Sequence, residues 1–521
     1  MTKKTIFFLS VTLFIFISCK QKKEIDSILN KEISNNEKLK HLLTEETDEL
    51  NFLTKELKKK LEDFYRKRNF QPLWIKNDSL NSKSLLLIEE LKKPLAFGLP
   101  ENRHLKFNKD LHPLISELKI TFTLKCFQND LQNGFMNDSL KEVKPIDFSD
   151  DFSKIEQLLI AKDACLSEEI IKWGLNDTLY RALSNHLYQF YTFCPHKEDK
   201  VELPTQKEDS IKSVNIMRTL LKNKNYIGNE NVDTSILFAS LKRFQLENGL
   251  KQDGKIGKLT AKSLMESQID KCKRLALNLE KLRHKKIKKG YYLEINLPEF
   301  VLRFYHDDTL KSFHRVIIGT EENQSPELSS NVFRIITYPL WSVPFSITSK
   351  EFLPILKRNP NYLSQNNMIL LKNNEEINPI DVNWKKISKN TFPYKVIQNS
   401  GKSNSLGIIK LDFQNKYGVY VHDTPNKGLF NNVFRSYSHG CIRCEHPVDL
   451  AKQLLLSHEK NMISDSLDSL LNRKVHQYIP LKSKIPIEIY YLTISLSNNG
   501  EVILLADLYN RDETLIQKIF D

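Results

Sequence analysis

Two short strings of the sequence carry the residues best suited to chemistry. They are Val421-His422-Asp423-Thr424-Pro425 and Ser438-His439-Gly440-Cys441-Ile442-Arg443, with nineteen positions from His422 to Cys441. A free thiol ionises around pH 8.5, so a cysteine nucleophile at neutral pH needs activating surroundings. A neighbouring imidazole, basic groups and a nearby helix N-terminus all favour the thiolate. Gly440 would let backbone N–H groups approach a substrate carbonyl, as an oxyanion hole requires. The chemistry these residues suit is acyl transfer through a cysteine thioester. Cys441-Ile442-Arg443-Cys444 is also a C-x-x-C, open to two other readings: a redox pair or half a zinc site. Zinc normally takes four ligands; the sequence has no second C-x-x-C, and His439 and His446 are the side chains that could complete a set.

The elements around these strings read as strands. Tyr291 to Leu297, Phe300 to Tyr305, Phe313 to Ile318 and Val332 to Thr337 are rich in aromatic and β-branched residues. Gly407 to Phe413 and Tyr417 to Val421 follow, which puts His422 at a strand end. Cys441 falls in a loop before a helix starting near Pro447, with Val448, Leu450, Ala451 and Leu454 spaced for one face. Residues 346–400 are polar and rich in Asn and Lys, the pattern of a lid or binding loop. Ile487 to Leu496 and Val502 to Asp507 are expected to form a hairpin that closes the sheet.

Upstream the pattern is helical. Residues 20–60 read as a charged tether running into a helix. From 61 to 205 a helical unit is expected, for example through Leu179, Leu183, His186, Leu187 and Phe190. Phe64-Tyr65 and Phe70-Gln71-Pro72-Leu73-Trp74 read as aromatic core around a proline break. Residues 212–268 form a second unit. Asp233 or Thr234 caps a helix bearing Leu237, Leu241 and Phe244, Gly249 stops it, and Thr260 opens another short helix to Leu264.

The length of 521 residues implies two to four domains, and 40% apolar with 27% charged residues excludes a wholly disordered chain. The net charge of +14 favours an anionic partner: nucleic acid, anionic lipid or an anionic polymer. The N-terminus chooses among these. Lys3 and Lys4 precede an apolar run from Ile6 to Ile17, about twelve residues, too short to span a bilayer and typical of a signal peptide. Ile17-Ser18-Cys19 before the polar Lys20-Gln21-Lys22-Lys23 resembles a bacterial lipobox, which implies cleavage before Cys19 and its lipidation; an ordinary secretory signal is the alternative. Either way the chain is expected to be exported, with no role in nucleic-acid binding. Of seven cysteines, Cys126, Cys165, Cys194 and Cys272 are open to either pairing or staying free.

The ordered string Phe244-Gln245, Asn248-Gly249-Leu250, Asp253-Gly254, Ile256-Gly257, Thr260 and Leu264 resembles the small three-helix peptidoglycan-binding domain. The two chemical strings, a His followed within twenty residues by Ser-His-Gly-Cys and an Arg, resemble the L,D-transpeptidases with a YkuD-type catalytic domain. Asn296-Leu297-Pro298, Val316 to Gly319, Trp341-Ser342-Val343-Pro344 with Ile347, and Leu406-Gly407 with Lys410 look like the large multidomain periplasmic branch of that family. So do Leu277 to Arg283 and Tyr509 to Asp512. The resemblance implies an α+β multidomain chain: signal peptide 1–18, tether and helix 19–60, helical scaffold 61–205, peptidoglycan-binding-like domain 212–268, mainly β catalytic domain 289–460 with a capping insertion 346–400, and a segment 461–521 completing its sheet. It further implies Cys441 as nucleophile and His422 as proton donor and acceptor, with His439 and Gly440 shaping the cysteine loop and oxyanion site. Arg443, Tyr420, Ser438 and Trp341 would bind substrate, Arg443 by holding either a substrate carboxylate or the loop itself. Cys444 stands where the family usually has a small or aliphatic residue, and its oxidation with Cys441 would silence the enzyme. The implied reaction is 3→3 cross-linking of peptidoglycan stem peptides with release of D-Ala. It needs neither metal nor organic cofactor. An L,D-carboxypeptidase, a transferase attaching a protein to the wall and a non-catalytic wall-binding lipoprotein are the alternatives. Partners would be donor and acceptor stems, the membrane through Cys19, and other wall-synthesis proteins.

Overall fold

The computed structural model of the chain describes residues 33–45, 50–107, 112–193, 201–205, 207–286, 288–457 and 463–520. The apolar run Ile6 to Ile17, Cys19 and Cys194 lie outside the described residues. Among the described residues no helix is long and apolar enough to cross a membrane.

The N-terminal region is helical: α1 (Asn35–Thr44), α2 (Lys55–Arg66), α3 (Ser82–Leu91), α4 (Pro113–Asn133), α5 (Ser153–Ile160), α6 (Leu166–Ile171) and α7 (Thr178–Thr192). Polar caps set several starts. Ser34 forms a capping box with Glu37, and Thr54, Asn81 and Asp177 accept from amides in the first turns of α2, α3 and α7. The aromatic cluster is core, as its composition suggests: Phe64, Tyr65 and Trp74 are buried. It closes over one buried acid. Glu117 of α4 accepts from the amides of Leu73 at 2.8 Å and Trp74 at 2.7 Å, and from the Tyr65 hydroxyl at 2.6 Å.

Three helices follow: α8 (Ser210–Asn223), α9 (Thr234–Glu247) and α10 (Lys258–Met265). Met217, Leu221, Leu237, Leu241, Phe244, Ile256 and Leu264 form their core, and Leu203 joins it from before the expected start at 212. Asp233 occupies the N-cap of α9 without a side-chain cap bond, and α10 begins at Lys258 rather than Thr260. Gly249 takes φ +60°, and a Cβ there would lie 2.7 Å from the Leu504 carbonyl oxygen, so this turn packs backbone against backbone on the C-terminal hairpin.

Helix α11 (Gln268–Arg283) joins the parts. Leu275, Leu277 and Leu279 enter the helical core. Its polar positions reach the C-terminal segment: Asn278 bonds Thr493, Arg274 donates to the Leu505 carbonyl, and Lys281 bonds Asp512 at 2.5 Å.

The C-terminal half is mainly β. Its strands are β1 (Tyr291–Asn296), β2 (Val301–His306), β3 (Thr309–Gly319), β4 (Leu328–Thr337), β5 (Trp341–Ser342), β6 (Met368–Lys372), β7 (Glu375–Ile377), β8 (Lys395–Gln398), β9 (Ile409–Phe413), β10 (Val421–His422), β11 (Ser436–Ser438), β12 (Ile442–Cys444), β13 (Gln477–Tyr490), β14 (Ile494–Leu496) and β15 (Val502–Leu504). The main sheet runs β11-β3-β12-β10-β9-β4-β13-β1-β2, and β2 pairs back onto β3, so the sheet closes on itself. Helix α12 (Pro447–Leu456) packs Leu450, Ala451 and Leu454 against the buried sheet face; α13 (Ile463–Asn472) follows it.

The closing strand differs from expectation. β13 begins ten residues before Ile487 and runs antiparallel to β4 and parallel to β1. The expected hairpin is β14 with β15, a separate two-stranded sheet. Ile494 and Leu504 belong to the helical core, so the hairpin docks there instead of closing the main sheet. Helix α14 (Arg511–Phe520) ends the described chain.

Residues between β4 and β9 form a folded cap rather than an irregular loop. It starts at Trp341, with a sheet ordered β5-β8-β6-β7. Val343, Leu353, Leu356, Leu370, Trp384 and Val396 give it a core of its own. These apolar residues are scattered among Asn and Lys, which hid them in the composition.

The seam between α11 and the C-terminus is buried and charged. Asp512 also accepts from Thr493 Oγ1 at 2.5 Å, and its side chain is 1% exposed. Removing one partner of such a pair leaves an uncompensated buried charge. Asp512→Ala is expected to lower the unfolding free energy by about 3–5 kcal/mol. Urea denaturation measures it; a loss below about 1 kcal/mol would show that the seam does not hold the parts together.

Candidate active site

Three adjacent strands build the site. Lys410 on β9 faces His422 on β10 across an antiparallel ladder, and His422 faces Arg443 on β12 across a parallel one. The Ile442 amide donates to the Tyr420 carbonyl at 3.0 Å, which sets Cys441 beside Tyr420. Side chains alternate across a sheet. Leu411, Val421, Ile442 and Cys444 therefore enter the core. Lys410, Tyr420, His422, Cys441 and Arg443 share the opposite face.

His422 is 4% exposed, and its Nδ1 donates to the Asp423 backbone carbonyl at 2.5 Å. A carbonyl only accepts, so Nδ1 carries the proton and Nε2 is left as the acceptor. Burial, aided by the charges of Arg443 and Lys410, pushes the imidazole pKa down to about 3. His422 is a neutral base at pH 7.

Asp423 fixes the carbonyl that receives Nδ1. Its amide donates to Ile409 O at 2.8 Å, its Oδ2 accepts from Ile408 N at 3.0 Å, and Lys427 pairs with Oδ1. Gly407 makes room: it takes φ +61°, and a Cβ there would sit 2.2 Å from Asp423 Oδ2.

Burial pushes the Cys441 thiol up; contacts from the backbone and phenol of Tyr420 and the charges of Lys410 and Arg443 pull the other way without overcoming it. The expected thiolate is thus absent at rest. β12 separates Cys441 from the start of α12, and the charges acting on the sulfur are those of Lys410 and Arg443. The Tyr420 ring meets the His422 ring edge-on at 5.5 Å and carries Lys410 Nζ at 4.0 Å from its centroid. Its hydroxyl approaches both Cys441 and Trp341, the first cap residue in a strand.

The loop before Cys441 is stapled from both sides. Ser438 Oγ donates to the Cys441 carbonyl at 2.5 Å and accepts the Gly440 amide at 3.1 Å; Ser325 Oγ donates to the Gly440 carbonyl at 2.8 Å. The Gly440 N–H is engaged by Ser438 Oγ, which holds the loop in place. Gly440 takes φ +109°, open to glycine. His439 Nε2 meets Glu351 Oε1 of the cap at 2.7 Å. An open cavity of about 510 Å³ borders the same loop, lined in part by Tyr417, His439, Gly440 and Arg511.

Arg443 is half-buried, and among the described residues it makes no hydrogen bond or ion pair within the loop or elsewhere. Cys444 is fully buried on the core face, the side opposite Cys441. Residues three apart on an extended strand have Cα atoms about 10 Å apart, beyond disulfide reach. The expected Cys441–Cys444 bond does not fit this strand. Among the described residues no group of three or more His, Cys, Asp or Glu side chains is gathered to hold a metal.

Sequence reasoning singled out neither Asp423, Glu351 nor the charge role of Lys410. Lys410 alternates with buried Ile409 and Leu411, and Asp423 adjoins the histidine; both were legible as outward and adjacent. Glu351 gave no signal, because its partner lies 88 residues away.

Fold and site together define a mainly β catalytic domain preceded by helical units. Residues 290–470 match the model of the L,D-transpeptidase catalytic domain, YkuD. A protein of Haemophilus influenzae titled "Putative L,D-transpeptidase" is 33% identical over 244 residues, 46% of this chain and 48% of its own length. The matched stretch thus spans about half the length of that curated relative. Among solved structures, an L,D-transpeptidase from Xylanimonas cellulosilytica aligns over 57% of this chain and 100% of its own, at 12% identity and TM-score 0.17. One from Stackebrandtia nassauensis aligns over 57% and 96%, at 13% identity and TM-score 0.19.

The charge states carry a test. A Cys–His ion pair would be alkylated at a rate already maximal near pH 6. Here iodoacetamide labelling of Cys441 is expected to rise with pH through a midpoint above about 8.5, the free-thiol value. A plateau reached below pH 7 would contradict a neutral resting thiol.

Proposed function

We propose that the chain is an L,D-transpeptidase that forms 3→3 cross-links in peptidoglycan through a thioester on Cys441. The observation that carries the reading is the placement of Cys441 and His422 on one face of adjacent parallel strands, beside a folded cap. Cys441 attacks the carbonyl after the third residue of a tetrapeptide stem as His422 Nε2 takes the thiol proton. That proton passes to the departing D-Ala nitrogen. The side-chain amine of a second stem then attacks the thioester, with His422 again as base. Because burial keeps both groups neutral, the proton moves only as the carbonyl is attacked, which spares a buried ion pair.

The remaining parts fit the same setting. The N-terminal run ending at Cys19 serves as a lipoprotein signal, placing the enzyme in the periplasm on a membrane anchor. The 212–268 module and the net charge of +14 raise its concentration at the anionic wall. The cap covers the donor stem and limits water, since hydrolysis competes with aminolysis.

The test is mass spectrometry of products from the purified chain and disaccharide-tetrapeptide. The expected product is a dimer lighter than two substrates by one D-Ala, with a 3→3 bond. Cys441→Ala should reduce turnover at least about 10³-fold. Cross-linking retained by that variant would refute the assignment, and a tripeptide monomer alone would make water the acceptor.

A further inference from the structure

The strands place His422 and Arg443, but Gly440 lies in the short stretch between β11 and β12, outside any ladder. Two side chains staple that stretch. Ser438 does so from three residues before Cys441. Ser325 does so from the loop between β3 and β4, 115 residues before the Gly440 carbonyl it bonds. Ser325 is fully buried, and its Oγ also accepts the Gly319 amide at 3.0 Å. Gly319 ends β3 beside Ser438, and Thr320 N donates to the Ser438 carbonyl at 3.0 Å. The cysteine loop thus rests on the two ends of one lap of chain, Gly319 and Ser325. A loop opens at small cost unless something ties it.

One phenol ties both ends. Tyr509 Oη donates to the Gly319 carbonyl at 2.7 Å and accepts the Ser325 amide at 3.3 Å. A hydroxyl can donate once and accept as well, so both bonds form together. Arg511 adds a further tie, donating to the Ser325 carbonyl at 2.9 Å. Tyr509 lies nineteen positions after Tyr490, where β13 completes the main sheet. It is buried, and its ring stacks on Tyr491 with centroids 5.6 Å apart. Its amide donates to the Tyr491 hydroxyl at 3.0 Å, which donates in turn to Asp507 Oδ1 at 2.7 Å. The phenol is therefore held by packing and hydrogen bonds separate from the loop it ties. Phenylalanine would fill the same space, so what the hydroxyl contributes is the tie.

We propose that Tyr509 is a positioning residue for Cys441. Its hydroxyl joins Gly319 to Ser325, and through them sets where the Gly440–Cys441 link stands relative to His422. Tyr509 itself touches no reacting atom. In the acylation step Cys441 Sγ must meet the carbonyl carbon while its proton leaves toward His422 Nε2. A displacement of about 1 Å in such an arrangement costs on the order of 100-fold in rate. The inference rests on the transpeptidase reading above. It adds that the catalytic unit extends past the main sheet to the start of α14.

The experiment uses Tyr509→Phe in the purified full-length chain. Single-turnover acylation by disaccharide-tetrapeptide is followed by intact-protein mass spectrometry across substrate concentrations. Its maximal rate is expected to fall about 10- to 100-fold. The half-saturating concentration should stay within about twofold, since the substrate contacts are untouched. Ser325→Ala should give a similar loss, and the double variant should be no slower than the slower single one, because both act through one tie. An unchanged maximal rate, or losses that multiply, would overturn the proposal. Hydrogen exchange tests the tie without substrate. Peptides covering 319–325 and 436–444 should exchange roughly 5- to 100-fold faster in Tyr509→Phe, the size of one or two hydrogen bonds, while those covering β1 and β6 stay unchanged. A uniform rise, or an unchanged 436–444 peptide, would overturn the proposal. If the unsubstituted chain forms no acyl adduct while the exchange pattern holds, the transpeptidase reading falls and the positioning of the cysteine loop by Tyr509 stands.

Discussion

Val421 and Ile442 face each other across a parallel ladder of two residue pairs, and the placement of the site depends on that register. Side chains on a strand alternate, so a slip of one residue would turn His422 into the core and bring Val421 onto the catalytic face. Two pairs are too few to hold a register by themselves. Burial does it: Val421 and Ile442 are both fully buried, above Leu450, Ala451 and Leu454 of α12. On the flanks Asp423 is bonded to Ile409, and Ser438 and Ser325 staple the loop that enters β12. The reacting residues thus inherit their positions from apolar neighbours that take no part in the chemistry.

The same burial sets the charge states. Basic groups beside a thiol favour the thiolate, and both Lys410 and Arg443 are near enough to act on Cys441. Desolvation outweighs them, and for His422 desolvation and the two cations work in the same direction. The site therefore rests as a neutral thiol and a neutral imidazole between two fixed positive charges. Negative charge that develops on sulfur meets a preorganised cationic field, without a standing ion pair to desolvate.

Much of this was readable from residue types and spacing. The His422 and Cys441 strings, the strands on either side, α12 after Pro447 and the three-helix unit around Leu237, Leu241 and Phe244 all follow local rules of alternation, capping and glycine stops. What escaped depended on distant partners. The cap's core residues are spread through a polar stretch and become a core only when β6 and β8 pair. Ile494 and Leu504 look like sheet residues by propensity, yet the nearest large apolar surface is the helical core, and burial there wins over extension of the main sheet. The thiolate expectation failed because counting nearby basic residues leaves out desolvation, which depends on burial that no linear pattern states.

The cap's attachment shows how so large an insertion leaves the site undisturbed. It departs after Thr337 of β4 and returns at Ile409 of β9, and those residues are paired neighbours. Tyr338 N donates to Ile408 O at 2.9 Å, which closes the neck, and His476 Nδ1 holds the Tyr338 carbonyl at 2.9 Å. With both ends already side by side, the insertion's length adds little to the entropy of forming the main sheet, so the cap folds around its own core at small cost to the barrel. The neck also sits one residue from Lys410, and the amide of its Ile408 donates to Asp423, which follows His422 in the chain. Beyond it the cap touches the catalytic face at Trp341, toward Tyr420, and at Glu351, on His439. One pinned edge and two side-chain contacts make the cap a unit whose position is coupled to the cysteine loop, since His439 lies two residues before Cys441.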